Sequence, residues 1–132
     1  MLVSVVTPLA LSAPLASAAV TAKVVHPVQS GALAVVGATR ALAAEALVRG
    51  MTMGDLVAKW QRVAVCEVNG NWSMVGPVYS GIGFSNATWS QYGGSRYARL
   101  AGDATRAQQI LIGMKVTHGW VPDQEGCSPD GW

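Results

Sequence analysis

The stretch Trp60-Gln-Arg-Val-Ala-Val-Cys66-Glu67-Val-Asn-Gly-Asn-Trp72 decides how the chain is read. It gives the last turns of an amphipathic helix running into a turn, with an acid at the junction. Leu56, Trp60, Val63 and Ala64 recur at helical spacing, and Asp55 is the expected N-cap. Glu67 lies eleven residues after Leu56, about three turns at roughly 3.6 residues each, and so falls on the apolar stripe. A carboxylate there is partly desolvated and sits at the negative end of the helix dipole. Both effects favour the protonated form and raise the pKa, as a general acid working near neutral pH requires. The competing reading is a solvated glutamate at a frayed helix end, and spacing alone favours it.

Working outward, composition sets the bounds. A chain of 132 residues holds one domain with some sequence attached, and a net charge of +2 does not argue for nucleic acid. No Gly-rich phosphate loop is present, no His/Cys cluster has zinc spacing, and His26 and His118 stand far apart. Neither a metal nor a cofactor is expected.

The aromatic residues divide the chain. All five Trp, all three Tyr and the single Phe lie at or after Trp60, so the core and any aromatic-lined cleft belong to the second half. This places the domain at residues 55–132. Residues 1–18 resemble a secretory signal: the first 22 residues carry no charge, and Ala16-Ser17-Ala18 matches a small-x-small cleavage site, although no Lys or Arg opens the segment. A membrane span is the rival, disfavoured by Pro8, Pro14 and the many Ala and Ser. An exported protein with no stable membrane anchor after processing is the expectation. Residues 19–54 read as an Ala/Val-rich spacer, partly helical over Gly31 to Arg49, with Glu45 and Arg49 as an i,i+4 pair and Gly50 as the stop. Lacking an aromatic, this spacer has little with which to anchor to the domain.

Within the domain, Asn69 to Gly83 is rich in Gly, Asn and Pro and suggests a loop or short irregular β-hairpin lining one side of a cleft. Ser85 caps a short helix through Tyr92, ended by Gly93-Gly94. Thr105-Arg-Ala-Gln108 is a capping box opening a helix with Ile110, Leu111 and Met114 buried, and Gly119 ends it. The fold class is α+β and mainly helical. So small a domain often needs a staple.

Cys66-Glu67-x-x-Gly70-Asn71-Trp72, then Gly81-x-x-Phe84, Thr88-Trp89 and Gly93-Gly94, closely resembles the resuscitation-promoting factor family of actinobacterial cell-wall enzymes. The resemblance runs from about Trp60 to Cys127. It implies a reduced lysozyme-like fold, a bridge between Cys66 and Cys127, and as substrate the β-1,4 bond between N-acetylmuramic acid and N-acetylglucosamine in peptidoglycan. Export points to the same pairing, against two buried thiols in a cytosolic chain. A loop of roughly 60 residues closed this way contributes about 4 kcal/mol in the chain-entropy model. Glycan strands are the implied partner, a cell-wall endopeptidase is a further one left open, and the chain is expected to be a monomer.

Two-acid glycoside hydrolysis needs a second carboxylate about 5 Å away for retention, or about 6.5–9.5 Å for inversion. Asp55 stands about 18 Å along the same helix. Asp103 precedes a helix cap, and Asp123, Glu125 and Asp130 lie in a polar tail. A single-acid scheme therefore fits: Glu67 protonates the glycosidic oxygen, and the oxocarbenium-like centre is captured by a substrate hydroxyl or a water. Trp60 reads as core, and Trp72 and Trp89 as core before cleft. Tyr79 is the better glycan contact, and Asn71, Trp72, Thr88 and His118 are the further expected substrate-binding residues. Thr88 matches a family position associated with substrate, against the local backbone bonding common for a helix Thr. His118 stands where a Gln normally precedes Gly-Trp.

The chain departs from the family pattern in several places. Val68-Asn69 replaces Ser-Gly after the acid, and the hairpin Met74 to Ser80 is about two residues shorter. Gly83 replaces a Gln, and Val121-Pro122 with an acidic insert replaces Trp-Pro before Cys127. Two readings follow: a secreted muralytic enzyme acting through Glu67, or a non-catalytic wall-binding or signalling domain. Whether Glu67 opens onto a groove or is capped by Trp72 and the hairpin discriminates between them.

Overall fold

The computed structural model describes residues 27–120, with side chains from residue 31 onward. The calls on residues 1–18 and on Val121, Pro122, Asp123, Glu125, Cys127 and Asp130 lie outside the described residues. Helix α1 spans Pro27–Val48, α2 Met53–Val68, α3 Asn86–Gln91 and α4 Arg106–Val116. Strands β1 (Tyr79–Ser80) and β2 (Phe84–Ser85) form one antiparallel pair, and 3-10 turns occupy Gly94–Arg96 and Ala101–Asp103. The chain is mainly helical with a small hairpin, as its patterning indicates.

The start of α2 corrects the expected cap. Thr52, not Asp55, is the N-cap; its hydroxyl accepts the Asp55 N–H at 3.1 Å, and the Asp55 carboxylate accepts the Thr52 N–H at 2.9 Å. This reciprocal pairing satisfies two otherwise open amides. Met53 and Gly54 fall off the apolar period, which is why periodicity starts the helix late. At the other end Asn69 takes a left-handed conformation and its N–H returns to Val65, closing the helix one residue after Val68.

The core forms where the stripe of α2 meets α4 and the hairpin. Leu56, Trp60, Val63 and Ala64 are fully buried together with Ile82, Phe84, Trp89, Ile110 and Ile112. Trp60 meets Trp120 edge-on at 6.0 Å between centroids, and Phe84 tilts against Trp89 at 5.5 Å, geometries that suit aromatic quadrupoles. Ser85 caps α3, and the Thr105–Gln108 box opens α4, both as expected. Of the side chains expected inside α4, Ile110 and Met114 are buried and Leu111 is half-buried. Gly94 lies flat on the Trp89 indole, where a Cβ would stand 2.2 Å from the ring.

The stretch read as a spacer carries α1, and α1 is docked. Leu42 and Ala46 are fully buried in the same core cluster as Trp60, and the helix packs on α4 and α2. No aromatic is needed, because small alanines let helices approach closely and a single leucine fills the space between them. Arg49 pairs with Glu45 as expected and also reaches the Gly119 carbonyl at 3.4 Å. Over Gly31–Val48 the helix is long and apolar enough to span a membrane by length and composition, with Leu33, Leu47 and Val48 exposed.

Candidate active site around Glu67

Glu67 sits in the last turn of α2, and its side chain is exposed, as are those of Val65 and Cys66. This corrects the placement of the acid on a buried stripe. Helical spacing gives the direction in which a side chain points, not how far the covering layer extends. The neighbour on that side is Gly83, which has no side chain to cover it. A Cβ built on Gly83 would lie 3.4 Å from Glu67 Cβ and 3.7 Å from Oε2. The fold therefore does not bury this carboxyl; it leaves it accessible from solvent.

The hairpin is brought to the acid by a tight loop. Tyr79 pairs with Ser85 and Ser80 with Phe84, leaving Gly81, Ile82 and Gly83 as the connection. Buried polar side chains fix it. The Ser80 hydroxyl donates to Asn86 Oδ1 at 2.7 Å and accepts the Ala101 N–H at 3.0 Å. Asn86 Nδ2 donates to the Gly76 carbonyl at 3.0 Å. Gln109, fully buried, accepts the Ile82 N–H at 3.1 Å and donates to the Trp72 carbonyl at 3.0 Å and the Ala104 carbonyl at 3.1 Å. Satisfied networks of this kind specify one arrangement, because a half-satisfied one is costly. Sequence reading passed over Gln109; its signal is an amide directly before Ile110 on the buried side of α4.

The other expected site residues divide. Tyr79 is exposed on β1. Asn71 is exposed, and its Oδ1 accepts the Ser73 N–H at 3.2 Å, shaping the turn after the acid. Trp72 is core: it is 5% exposed and its Nε1 donates to Gln61 Oε1 at 2.8 Å, while the Arg106 guanidinium lies 5.3 Å from the ring centroid. Trp72 thus turns its indole N–H to Gln61. Thr88 is half-buried; its Oγ1 accepts from Ser85 Oγ at 2.8 Å and its N–H donates to the same oxygen at 3.0 Å, the local bonding that competed with a substrate role. His118 is exposed at the α4 exit, next to the Gly119 carbonyl that Arg49 reaches.

The remaining described carboxylates have structural surroundings. Glu45 pairs with Arg49, Asp55 belongs to the α2 capping box, and Asp103 is exposed in a 3-10 turn. Hydrogen bonds from the Thr52 side chain and backbone hold the Asp55 carboxyl below the usual carboxylate range, outweighing a small opposing effect of burial. A cavity of about 220 Å³ lies between the C-terminal ends of α1 and α4, lined by Glu45, Arg49, Leu111, Met114, Lys115 and Gly119. Lys115 there is shifted down by desolvation and then by the charge of Arg96. No residue of α2, which carries Glu67, lines this cavity. Among the described residues no group of three or more His, Cys, Asp or Glu could hold a metal ion.

Glu67 is thus an exposed carboxylate beside Gly83, the residue that leads into β2 of the hairpin whose other strand carries the exposed Tyr79. The transglycosylase-like domain family model matches residues 55–121, from the α2 capping box to just past Trp120. A resuscitation-promoting factor of Corynebacterium glutamicum is 44% identical over 62 residues, which cover 46% of this chain and 32% of that protein. Resuscitation-promoting factor A of Mycobacterium tuberculosis is 43% identical over 60 residues, 44% of this chain and 15% of its own. Factor C of that species is 33% identical over 84 residues, 58% of each chain. The chain thus spans a third or less of the first two relatives. With half of it matched by the family model, the chain belongs to the transglycosylase-like domain family of the resuscitation-promoting factors.

Proposed function

We propose that the chain is a peptidoglycan-cleaving enzyme with a reduced lysozyme-like domain, in which Glu67 is the single general acid. The substrate is the β-1,4 bond between N-acetylmuramic acid and N-acetylglucosamine. The observation that carries this reading is the exposure of Glu67 against Gly83, open beside the hairpin that presents Tyr79. Glu67 gives its proton to the glycosidic oxygen as the bond to the anomeric carbon breaks, and the resulting carboxylate faces the positive charge left on the sugar. Tyr79 stacks on a sugar ring, and Asn71 bonds to its substituents. Thr88, Trp72 and His118 act from further out: Thr88 and Trp72 shape the walls, and His118 belongs to the α4 exit.

The exposure of Glu67 favours this over a wall-binding domain, since an acid that is to protonate a glycosidic oxygen has to be reachable. The domain carries a Cys66–Cys127 bridge that ties the C-terminal segment to the residue before the acid. Export removes residues 1–18, residues 19–54 carry α1, and residues 55–132 act on the wall as a monomer. Secreted material should then begin near Ala19 on N-terminal sequencing, and a cytosolic form retaining Met1 would count against export. Digestion of purified peptidoglycan by the full chain and by its Glu67→Gln form tests the acid, with loss of cleavage expected.

A further inference from the structure

Helix α1 is apolar on two sides. Its inner side belongs to the core: Ala38, Leu42 and Ala46 recur every four residues and are buried, and the helix packs on α4 and α2. Leu33, Val36, Arg40 and Leu47, at steps of three, four and seven, fall on the opposite side and are exposed. Leu33 is 70% and Leu47 77% exposed, with exposed Ala43 and Ala44 between them. Among the described residues of α1, Arg40 is the only charge on this outer side; Glu45 and Arg49 pair with each other at the helix end. A helix on the surface of a water-soluble domain normally turns a polar face outward, and a contiguous apolar one marks an interaction site. Over Gly31–Val48 the helix has the length and composition of a membrane span. Crossing a bilayer would pull Leu42 and Ala46 out of the cluster they share with Trp60. Lying flat leaves the inner side on the domain while the outer side enters the headgroup boundary.

Charge separates a lipid surface from a second copy of the chain. Arg40 is the midpoint of the stripe from Leu33 to Leu47. A two-fold contact between α1 helices sets the same face against itself, so parallel or antiparallel it brings Arg40 onto Arg40. No acid on that face could pair with them, and a buried charge without a partner is strongly unfavourable. An anionic headgroup layer supplies the missing counter-charge, and an arginine reaches it by extending its apolar stem along the helix surface. The sequence agrees in sign: residues 1–44 contain Lys23 and Arg40 and no acid. We propose that the outer side of α1 is a peripheral binding surface for an anionic lipid bilayer. Leu33, Val36 and Leu47 enter the headgroup boundary, Arg40 meets the lipid charge, and the domain stays folded on the inner side. This surface is independent of Glu67.

The test is co-sedimentation of the full chain with vesicles of phosphatidylglycerol or of phosphatidylcholine. Wild type is compared with the double variant Leu33→Glu, Leu47→Glu and with Arg40→Gln. All three share residues 1–30, so any contribution of the upstream sequence is common to them. Wild type should bind phosphatidylglycerol more tightly than phosphatidylcholine. The double variant, with an unchanged melting temperature, should bind phosphatidylglycerol at least about tenfold more weakly, as the loss of two inserted leucines requires. Arg40→Gln should weaken binding about fivefold and flatten its dependence on salt. Wild type that binds neither vesicle would overturn the proposal, and so would equal binding by wild type and a folded double variant. Should the double variant not fold, Arg40→Gln decides, and wild-type affinity for phosphatidylglycerol in that variant would overturn the proposal. A wild-type dimer by light scattering that the leucine substitutions abolish would make a second copy the occupant and overturn it too.

Discussion

The Gln109 carboxamide oxygen accepts the Ile82 N–H at 3.1 Å, one residue before the glycine that lies against Glu67. Through its nitrogen the same side chain holds the Trp72 carbonyl, five residues after the acid, and the Ala104 carbonyl before α4. One buried amide therefore fixes both chain segments that flank Glu67 relative to the α4 scaffold. Its own helix opens at the Thr105–Gln108 capping box.

Gln109→Met keeps the approximate volume and removes all three hydrogen bonds. It leaves a buried N–H without its acceptor, a change that costs about 3 kcal/mol. Chemical denaturation should show a lower midpoint with an unchanged slope. Equal midpoints for the two proteins would contradict the role given to Gln109.

The α2 capping box makes stability depend on pH in a defined direction. Bonds from Thr52 lower the Asp55 pKa in the folded state, so its contribution is present above the unfolded value, about 4. It is lost as pH falls through the lower folded value. Wild type should melt above Asp55→Asn at pH 6, and the gap should narrow below about pH 4. A gap of equal size at pH 2 and pH 6 would show that the ionised carboxylate is not what caps the helix.

How much of this was legible in the sequence follows from the range of the interactions. The α2 stripe, the Ser85 cap, the Thr105–Gln108 box and the Glu45–Arg49 pair are local along the chain, and each appears as read. The equally local Thr52–Asp55 box is missed because Met53 and Gly54 break the apolar period. Three features depend on what comes from elsewhere. Glu67 has the angular position of the stripe, yet its cover is a glycine from the hairpin. Leu42 and Ala46 look unremarkable in an Ala/Val-rich run, yet they join the core where α1 packs on α4, about sixty residues further on. Gln109 looks like a surface amide until Ile82 and Trp72 come to it. The motif around Glu67 carries the family, and the exposure of the acid needs the fold.

The proposed Cys66–Cys127 bridge closes a loop of roughly 60 residues and contributes about 4 kcal/mol in the chain-entropy model. Peptide mapping of exported protein under non-reducing conditions should recover the two cysteines in one linked pair. Reduction should lower the melting temperature. Two thiols that alkylate freely in the native exported protein would contradict the bridge.

The central claim is that Glu67 alone supplies the proton for glycan cleavage. Glu67→Gln preserves size and hydrogen bonding but has no carboxyl proton to give. The most direct measurement is the amount of soluble muropeptide released from purified peptidoglycan, quantified by liquid chromatography and mass spectrometry for wild type, Glu67→Gln and Asp103→Asn. The account predicts a fall of at least about a hundredfold for Glu67→Gln, the low end for a general acid, with its circular dichroism spectrum unchanged and with Asp103→Asn near wild type. Release by Glu67→Gln at the wild-type rate would contradict it.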